Sequence, residues 1–395
     1  MGIPGLPKLI SNITDGEAMK QYEFSHFNGM TVGIDTSILV HRTGIGIRGS
    51  GQDMTNAAGG LTSHLNGIFY KILKFLENNM TPIFVFDGQP SHLKNKTIKK
   101  RTDDKLIATE KLSTVTDEKD YITCFKQSFC PSKDDYVELQ IMLDLMGIPY
   151  ILAPEEADPV LAWLSTRKDK RGNRIIKGVC TEDTDIMVLG APYVFKNMFG
   201  AMSSKNTKVS IMSLRTTLSK MNLTMDQFVD MSVLMGCDYC DRIKTIGPKK
   251  SYDLIRSKKN LAGATEYLKN EAKKNKKIDI DKKNIECMFE AADFFKKALD
   301  DLDNNDDFVV TNHNIRLRTY QQDELLNFMC VKHNFDTIRI QSMIRRLSIY
   351  YNKMNVTRPN KTKVHEMINS ETSDYAFLSS DSESSHEHKK KKKIA

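Results

Sequence analysis

Short apolar runs alternate with amphipathic stretches along most of the chain. Residues 31–40 (TVGIDTSILV) and 82–86 (PIFVF) are dense in β-branched and aromatic side chains, which predicts strands buried on both faces. Residues 148–152 and 175–180 repeat the pattern, and 194–195 start a further strand. Between the first two runs, Leu65, Ile68, Phe69, Ile72, Leu73 and Leu76 recur at helical spacing and predict a helix over 61–78. Residues 134–146, 225–235 and the segment SYDLI (251–255) also read as helix, and helical segments continue to about residue 354. Strands alternating with helices predict an α/β fold with a mostly parallel central sheet flanked by helices.

Three stretches break this rhythm. Residues 44–60 are Gly-rich and polar, which predicts a mobile loop carrying Arg48. Residues 89–133 form a long basic excursion with few regularly spaced apolar residues. Such excursions are usually functional or disordered, although a run of charge is most often a solvated helix face. Residues 355–395 are polar, carry LSSDSESSHEH and end in lysines 389–393, so a disordered basic tail is expected there. The chain thus divides into an N-terminal region 1–108, an inserted arch 89–133, an internal region 134–225, a largely helical part 226–354 and the tail.

Charge sharpens the picture. The 395 residues hold 58 Lys plus Arg against 50 Asp plus Glu, a net charge of +8. A mildly basic chain with concentrated acids fits a polyanionic substrate beside a metal site, and equally an ordinary basic surface. The 7 cysteines form no regular framework, which fits a reducing compartment. Cys237 and Cys240 have CxxC spacing but no second pair, so no zinc or redox role is expected of them. There is no signal peptide and no long apolar run, so no membrane partner is expected.

The acids cluster where a site would be built. The run 148–152 leads into Glu155, Glu156 and Asp158, and 175–180 leads into Glu182, Asp183 and Asp185. Asp35 lies within or at the end of the first run, Asp87 ends the second, and Asp238 follows the helix 225–235. In an open α/β sheet the chemistry sits past the carboxyl ends of the strands. Either of the two clusters alone is explained as well by helix capping as by metal binding. Together they are an all-oxygen set, suited to Mg²⁺ or Mn²⁺ and to two-metal phosphodiester hydrolysis. Residues 243–250 (IKTIGPKK) add a turn whose backbone N–H groups and lysines could meet a phosphate.

The motifs MGIPGLPKLI, IDTS, LTSHLNGIFY, VFDGQPSHLK, MGIPYILAPEEAD, TEDTD, MGCDYC and IGPKK together resemble a flap endonuclease of the XPG-type 5′ nuclease family, over residues 1–347. The resemblance implies a helical arch and a helix–two-turn–helix DNA-binding element. It implies that Asp35, Asp87, Glu156, Asp158, Asp183, Asp185 and Asp238 hold two Mg²⁺ ions, and that Lys94 and Arg101 in the arch contact the scissile phosphate. Gly2 would pack near the site, His41 would stack on a base and Arg48 would meet DNA at the flap junction. Gly247, Lys249 and Lys250 would grip duplex backbone with help from a K⁺ ion.

Three positions depart from the flap endonuclease pattern. Asp158 stands where that branch usually has Glu, and His41 where it has Tyr; both resemble the exonuclease branch. Thr245 replaces a Gly of the turn. The tail holds no clear sliding-clamp box. Residues 322–329 match one in part but resemble a core helix. The implied protein is a monomeric DNA flap endonuclease and 5′→3′ exonuclease of replication and repair, in the nucleus or another replication compartment. The alternatives are a mainly exonucleolytic enzyme, a non-catalytic DNA-junction binder or an RNA-directed nuclease. Acidic residues at every expected position oppose the second, and the duplex-gripping turn opposes the third.

Overall fold

In the computed structural model the described residues are 2–353, apart from 54, 56–61, 90, 170–171, 203–206 and 275–279. The expected tail lies outside them. Among the described residues, β1 (Met19–Tyr22), β2 (Thr31–Asp35), β3 (Thr81–Phe86), β4 (Tyr150–Leu152), β5 (Val179–Cys180), β6 (Tyr193–Lys196) and β7 (Val209–Ser213) form one sheet in the order β1-β7-β6-β5-β2-β3-β4. The pairs β6/β5, β5/β2, β2/β3 and β3/β4 are parallel, while β7 runs antiparallel to β6 and β1.

The apolar runs lack alternation because both faces of this sheet are covered. Along β3, Ile83 and Val85 join one hydrophobic layer, and Phe84 and Phe86 join the other. The first layer packs under the helices Ala157–Thr166, Met225–Leu234 and Lys282–Asn304. The second packs under Ser63–Glu77, Lys133–Met146 and Thr337–Lys353. Helix ends carry their own stop signals. Ser132 and Asp135 form a capping box ahead of Lys133–Met146, and Gly147, at φ 69, ends that helix.

Three of the expected elements need correction. The run 31–40 is half strand and half helix, because Asp35 closes β2 and its Oδ1 accepts from Ile38 N at 3.1 Å, capping the helix Thr36–Ile47. Such a cap contributes about 1 kcal/mol. The helix then runs through Gly44 and Gly46 to Ile47 and a 3-10 turn follows at Arg48–Ser50, while residues 54 and 56–60 of the expected loop lie outside the described residues. Gly44 is required there, since a Cβ would lie 2.1 Å from the Phe129 ring. The strand expected over 175–180 shrinks to Val179–Cys180, because the residues before it turn back along 167–176. The basic excursion holds two helices, Asn95–Leu112 and Glu118–Gln127.

Candidate active site

The parallel pairings decide where the acids meet. Ile34 stands opposite Cys180, and Asp35 opposite Val85. Asp35, Thr181 and Asp87 therefore leave the same edge of the sheet. Thr181 ties two of the loops: its hydroxyl donates to Asp35 Oδ2 at 3.1 Å and accepts from Asp183 N at 3.0 Å. Asp183 Oδ1 accepts from Asp185 N at 3.0 Å. Asp87 Oδ1 accepts from Ala157 N at 2.9 Å, and its Oδ2 accepts from Ser37 Oγ. The Asp87 loop is thereby fixed to the first turn of the helix that carries Asp158. Tyr239 OH donates to Glu156 Oε2 at 2.7 Å, which links the Asp238 loop to the same place.

Asp35, Glu156, Asp158, Asp183 and Asp185 are buried. The carboxyl of Asp35 is pushed up to about 7, first by burial and then by Asp87 and Asp183. Asp158 is raised well above the usual carboxylate range by burial and Asp183, against the pull of Lys94. Asp185 is raised by burial, then by Asp183. Like charges repel strongly away from water, so the group calls for cations. Two come from the arch. Lys94 Nζ lies 2.7 Å from Glu156 Oε2, and Arg101 Nη2 lies 2.6 Å from Asp238 Oδ2. Burial weakens the Lys94 ammonium, but Asp158 and Glu156 outweigh it and hold its pKa above the usual range.

The arch cations leave several oxygens unused. Glu156 Oε1 and both carboxylate oxygens of Asp185 are buried without a hydrogen-bond partner. Buried acceptors without partners are costly. Hard divalent cations would satisfy them, and the all-oxygen donor set fits Mg²⁺ or Mn²⁺. Among the described residues no three acid, imidazole or thiol groups are already gathered as an ion would need them, so the acids line a rim rather than a closed cage.

Of the remaining residues singled out in the sequence, Gly2 touches this rim directly. A Cβ on Gly2, at φ 78, would lie 2.3 Å from Asp183 Oδ1, so only glycine lets the N-terminal backbone approach, and Ile3 N donates to Thr184 Oγ1 at 3.0 Å. His41 meets the Phe129 ring edge at 5.6 Å. Burial and then Lys105 and Arg101 lower its pKa to about 4, so its ring is neutral near pH 7. Arg48 is tied to Asp53 and the Phe125 carbonyl, with its guanidinium over the Phe125 and Phe129 rings. It braces the base of the arch.

Gly247 caps the helix Pro248–Lys258, at whose start Lys249 and Lys250 are exposed. Pro248, the first residue of that helix, packs against the N-terminal segment, where a Cβ on Gly5 would lie 2.9 Å from its Cγ. Thr245 holds φ 74, a conformation that costs a β-branched residue about 1–3 kcal/mol. Thr245→Gly should therefore stabilise the protein by roughly 1 kcal/mol after glycine's own entropy cost, seen as a higher urea unfolding midpoint. A lower midpoint would show that the Thr245 side chain supports the turn.

Ligand logic does not single out Ser37, Thr181 or Tyr239. A hydroxyl within a few residues of an acid is too common to mark a role. Arg42 and Glu182 form a further ion pair, and Glu182 also accepts from Asn197 N at 2.9 Å.

Comparison with known proteins settles the lineage. Residues 1–108 match the XPG N-terminal domain and 147–238 the XPG I-region. The chain is 33% identical over 353 residues to flap endonuclease 1 of Nematostella vectensis, covering 88% of this chain and 87% of that one. The chain belongs to the XPG-type flap endonuclease family. It is therefore a nuclease of a metal-dependent kind. Flap endonuclease-1 from Methanococcus jannaschii superposes with a TM-score of 0.60 at 25% identity, over 85% of this chain and 97% of that one. Human GEN1, solved with Holliday junction DNA, shares the fold at a TM-score of 0.60 and 20% identity, over 91% of this chain and 81% of that one. The chain thus keeps the family fold.

Proposed function

We propose that this nuclease hydrolyses DNA phosphodiesters where a 5′ single strand leaves a duplex, and that it also trims 5′ ends as an exonuclease in replication and repair. The observation that carries the reading is the buried carboxylate rim with unused oxygens beneath two arch cations. Asp35, Asp87, Glu156, Asp158, Asp183, Asp185 and Asp238 would hold two Mg²⁺ ions, with Mn²⁺ as a substitute. When bound, these ions supply an activated water and stabilise the leaving oxygen.

The protein's own groups do the rest. Lys94 and Arg101 would swing from their carboxylates to the scissile phosphate and stabilise its growing charge. The neutral His41 ring would stack on a base, and Arg48 would hold the arch base at the junction. Gly247, Lys249 and Lys250 would take the duplex backbone with help from K⁺. The exonuclease-like Asp158 and His41 support the 5′-trimming activity. The partial clamp motif is no candidate, because its Leu325, Phe328 and Met329 are buried. We assign the arch to 89–133, a monomeric state, and a nuclear or other replication compartment to the enzyme.

Labelled flap DNA, nicked duplex and single-stranded RNA incubated with Mg²⁺ or EDTA test the proposal. Flap cleavage in Mg²⁺, none in EDTA and intact RNA are expected. Cleavage of RNA alone, or cutting in EDTA, would refute it.

A further inference from the structure

The sheet carries a second concave feature at its opposite edge. A cleft of about 820 Å³ opens where β6 begins and β7 ends, away from the acid-bearing carboxyl ends of β2, β3 and β5. Its floor is apolar, with Phe195, Met30 and Ile211, and its rim is cationic, with Lys20, Lys168, Arg174 and Lys177.

The rim gathers exposed cations. Lys168 and Arg174 stand directly opposite each other in an antiparallel bridge, which puts two like charges on one side of a hairpin. Lys177 follows on the chain three residues after Arg174, in the same rim. Among the described residues no ion pair to a carboxylate forms at Lys168, Arg174 or Lys177. The acid that lines the cleft, Glu17, is engaged by Lys220 at 2.7 Å.

The cleft also offers ring faces. Tyr193 is 39% exposed on its rim, and the Arg174 guanidinium lies 6.0 Å from its centroid. Tyr22 and His26 stack at 4.2 Å on another wall. Clustered cations beside an open aromatic face match a ligand that is both anionic and planar. We propose that this cleft is a second, non-catalytic site for a nucleotide. Its phosphate sits among Lys168, Arg174 and Lys177, and its base lies on Tyr193. The nucleotide is either free or the end of a single strand, since both present the same chemistry.

Calorimetric titration of the full chain in EDTA, with 5′-AMP, a short oligothymidylate and inorganic phosphate, tests this. One-to-one uptake of AMP is expected, with phosphate at least about tenfold weaker because it lacks a base to stack, and the oligonucleotide's cleft component is read as the part lost in Tyr193→Ala. Tyr193→Ala and Arg174→Glu should each weaken uptake about tenfold, while Tyr193→Phe keeps it. Asp183→Asn and Lys94→Ala should bind like the parent, which separates this cleft from the acid rim. Equal affinity for AMP and oligonucleotide marks a free nucleotide as the occupant, and preference for the oligonucleotide marks a strand end. No uptake, phosphate binding as tightly as AMP, or uptake indifferent to Tyr193 and Arg174 would overturn the proposal. Flap cleavage by Tyr193→Ala should stay at the parental rate, and its loss would mean the cleft belongs to the cutting machinery.

Discussion

Asp183→Asn should lose flap cleavage by at least about 100-fold while binding duplex DNA normally, because under the proposed ligand set it would remove a metal ligand and no DNA contact. It should also make the metal-free protein more stable. Asp183 raises the proton affinity of Asp35, Asp158 and Asp185, so one change relieves three buried neighbours. The gain is on the order of 1 kcal/mol.

Its pH dependence has a definite sign. A buried carboxyl with a raised pKa contributes full stability below its unfolded value and loses it as pH rises through the folded value. For Asp35 that window runs from 3.8 to about 7. In EDTA the advantage of Asp183→Asn should therefore be small near the lower end and grow towards the upper. Urea unfolding at several pH values, with and without Mg²⁺, measures both effects. Near-normal cleavage, or a variant less stable than the parent at the upper end, would contradict the ligand assignment.

Lys94→Ala and Arg101→Ala should each slow single-turnover cleavage about 100-fold with little change in DNA affinity, because in the proposed mechanism their charge would act on the bond being broken. Lys111→Ala and Lys119→Ala should act weakly and mainly at higher salt, since both lysines face solvent. Lys94 has a further signature. Its side chain is only 13% exposed and offsets Glu156, so Lys94→Ala should destabilise the metal-free protein, and Mg²⁺ should restore it. Binding titrations and rapid-quench rates for the four variants decide the matter. If Lys94 and Arg101 behave like Lys111 and Lys119, the arch is a charged surface with no part in bond breaking.

Apolar density made β2, β3 and the major helices legible, because burial on both faces leaves few polar interruptions. Boundaries were harder. TVGIDTSILV is continuous by hydropathy, and only the Asp35 cap divides strand from helix. β1 (MKQY) and β7 (VSIMS) escape detection because these antiparallel strands at the sheet's end are half-exposed and short. Gly44 and Gly46 suggest a loop, yet the helix needs Gly44 for close packing on Phe129. The acids were legible by position after strands. The hydroxyls that orient them were not, since their role exists only once distant loops meet.

The pairing of β2 with β5 joins residues 33–34 to 179–180, across roughly a third of the chain. Such distant pairings are slow to form, since loop closure precedes their reward. The acid rim draws on both segments and is complete only with Asp238. During synthesis, more than half of the polypeptide must emerge before the rim can close. On the proposed ligand set, an unfinished chain would lack the means to cut, and that ability would arrive late and all at once.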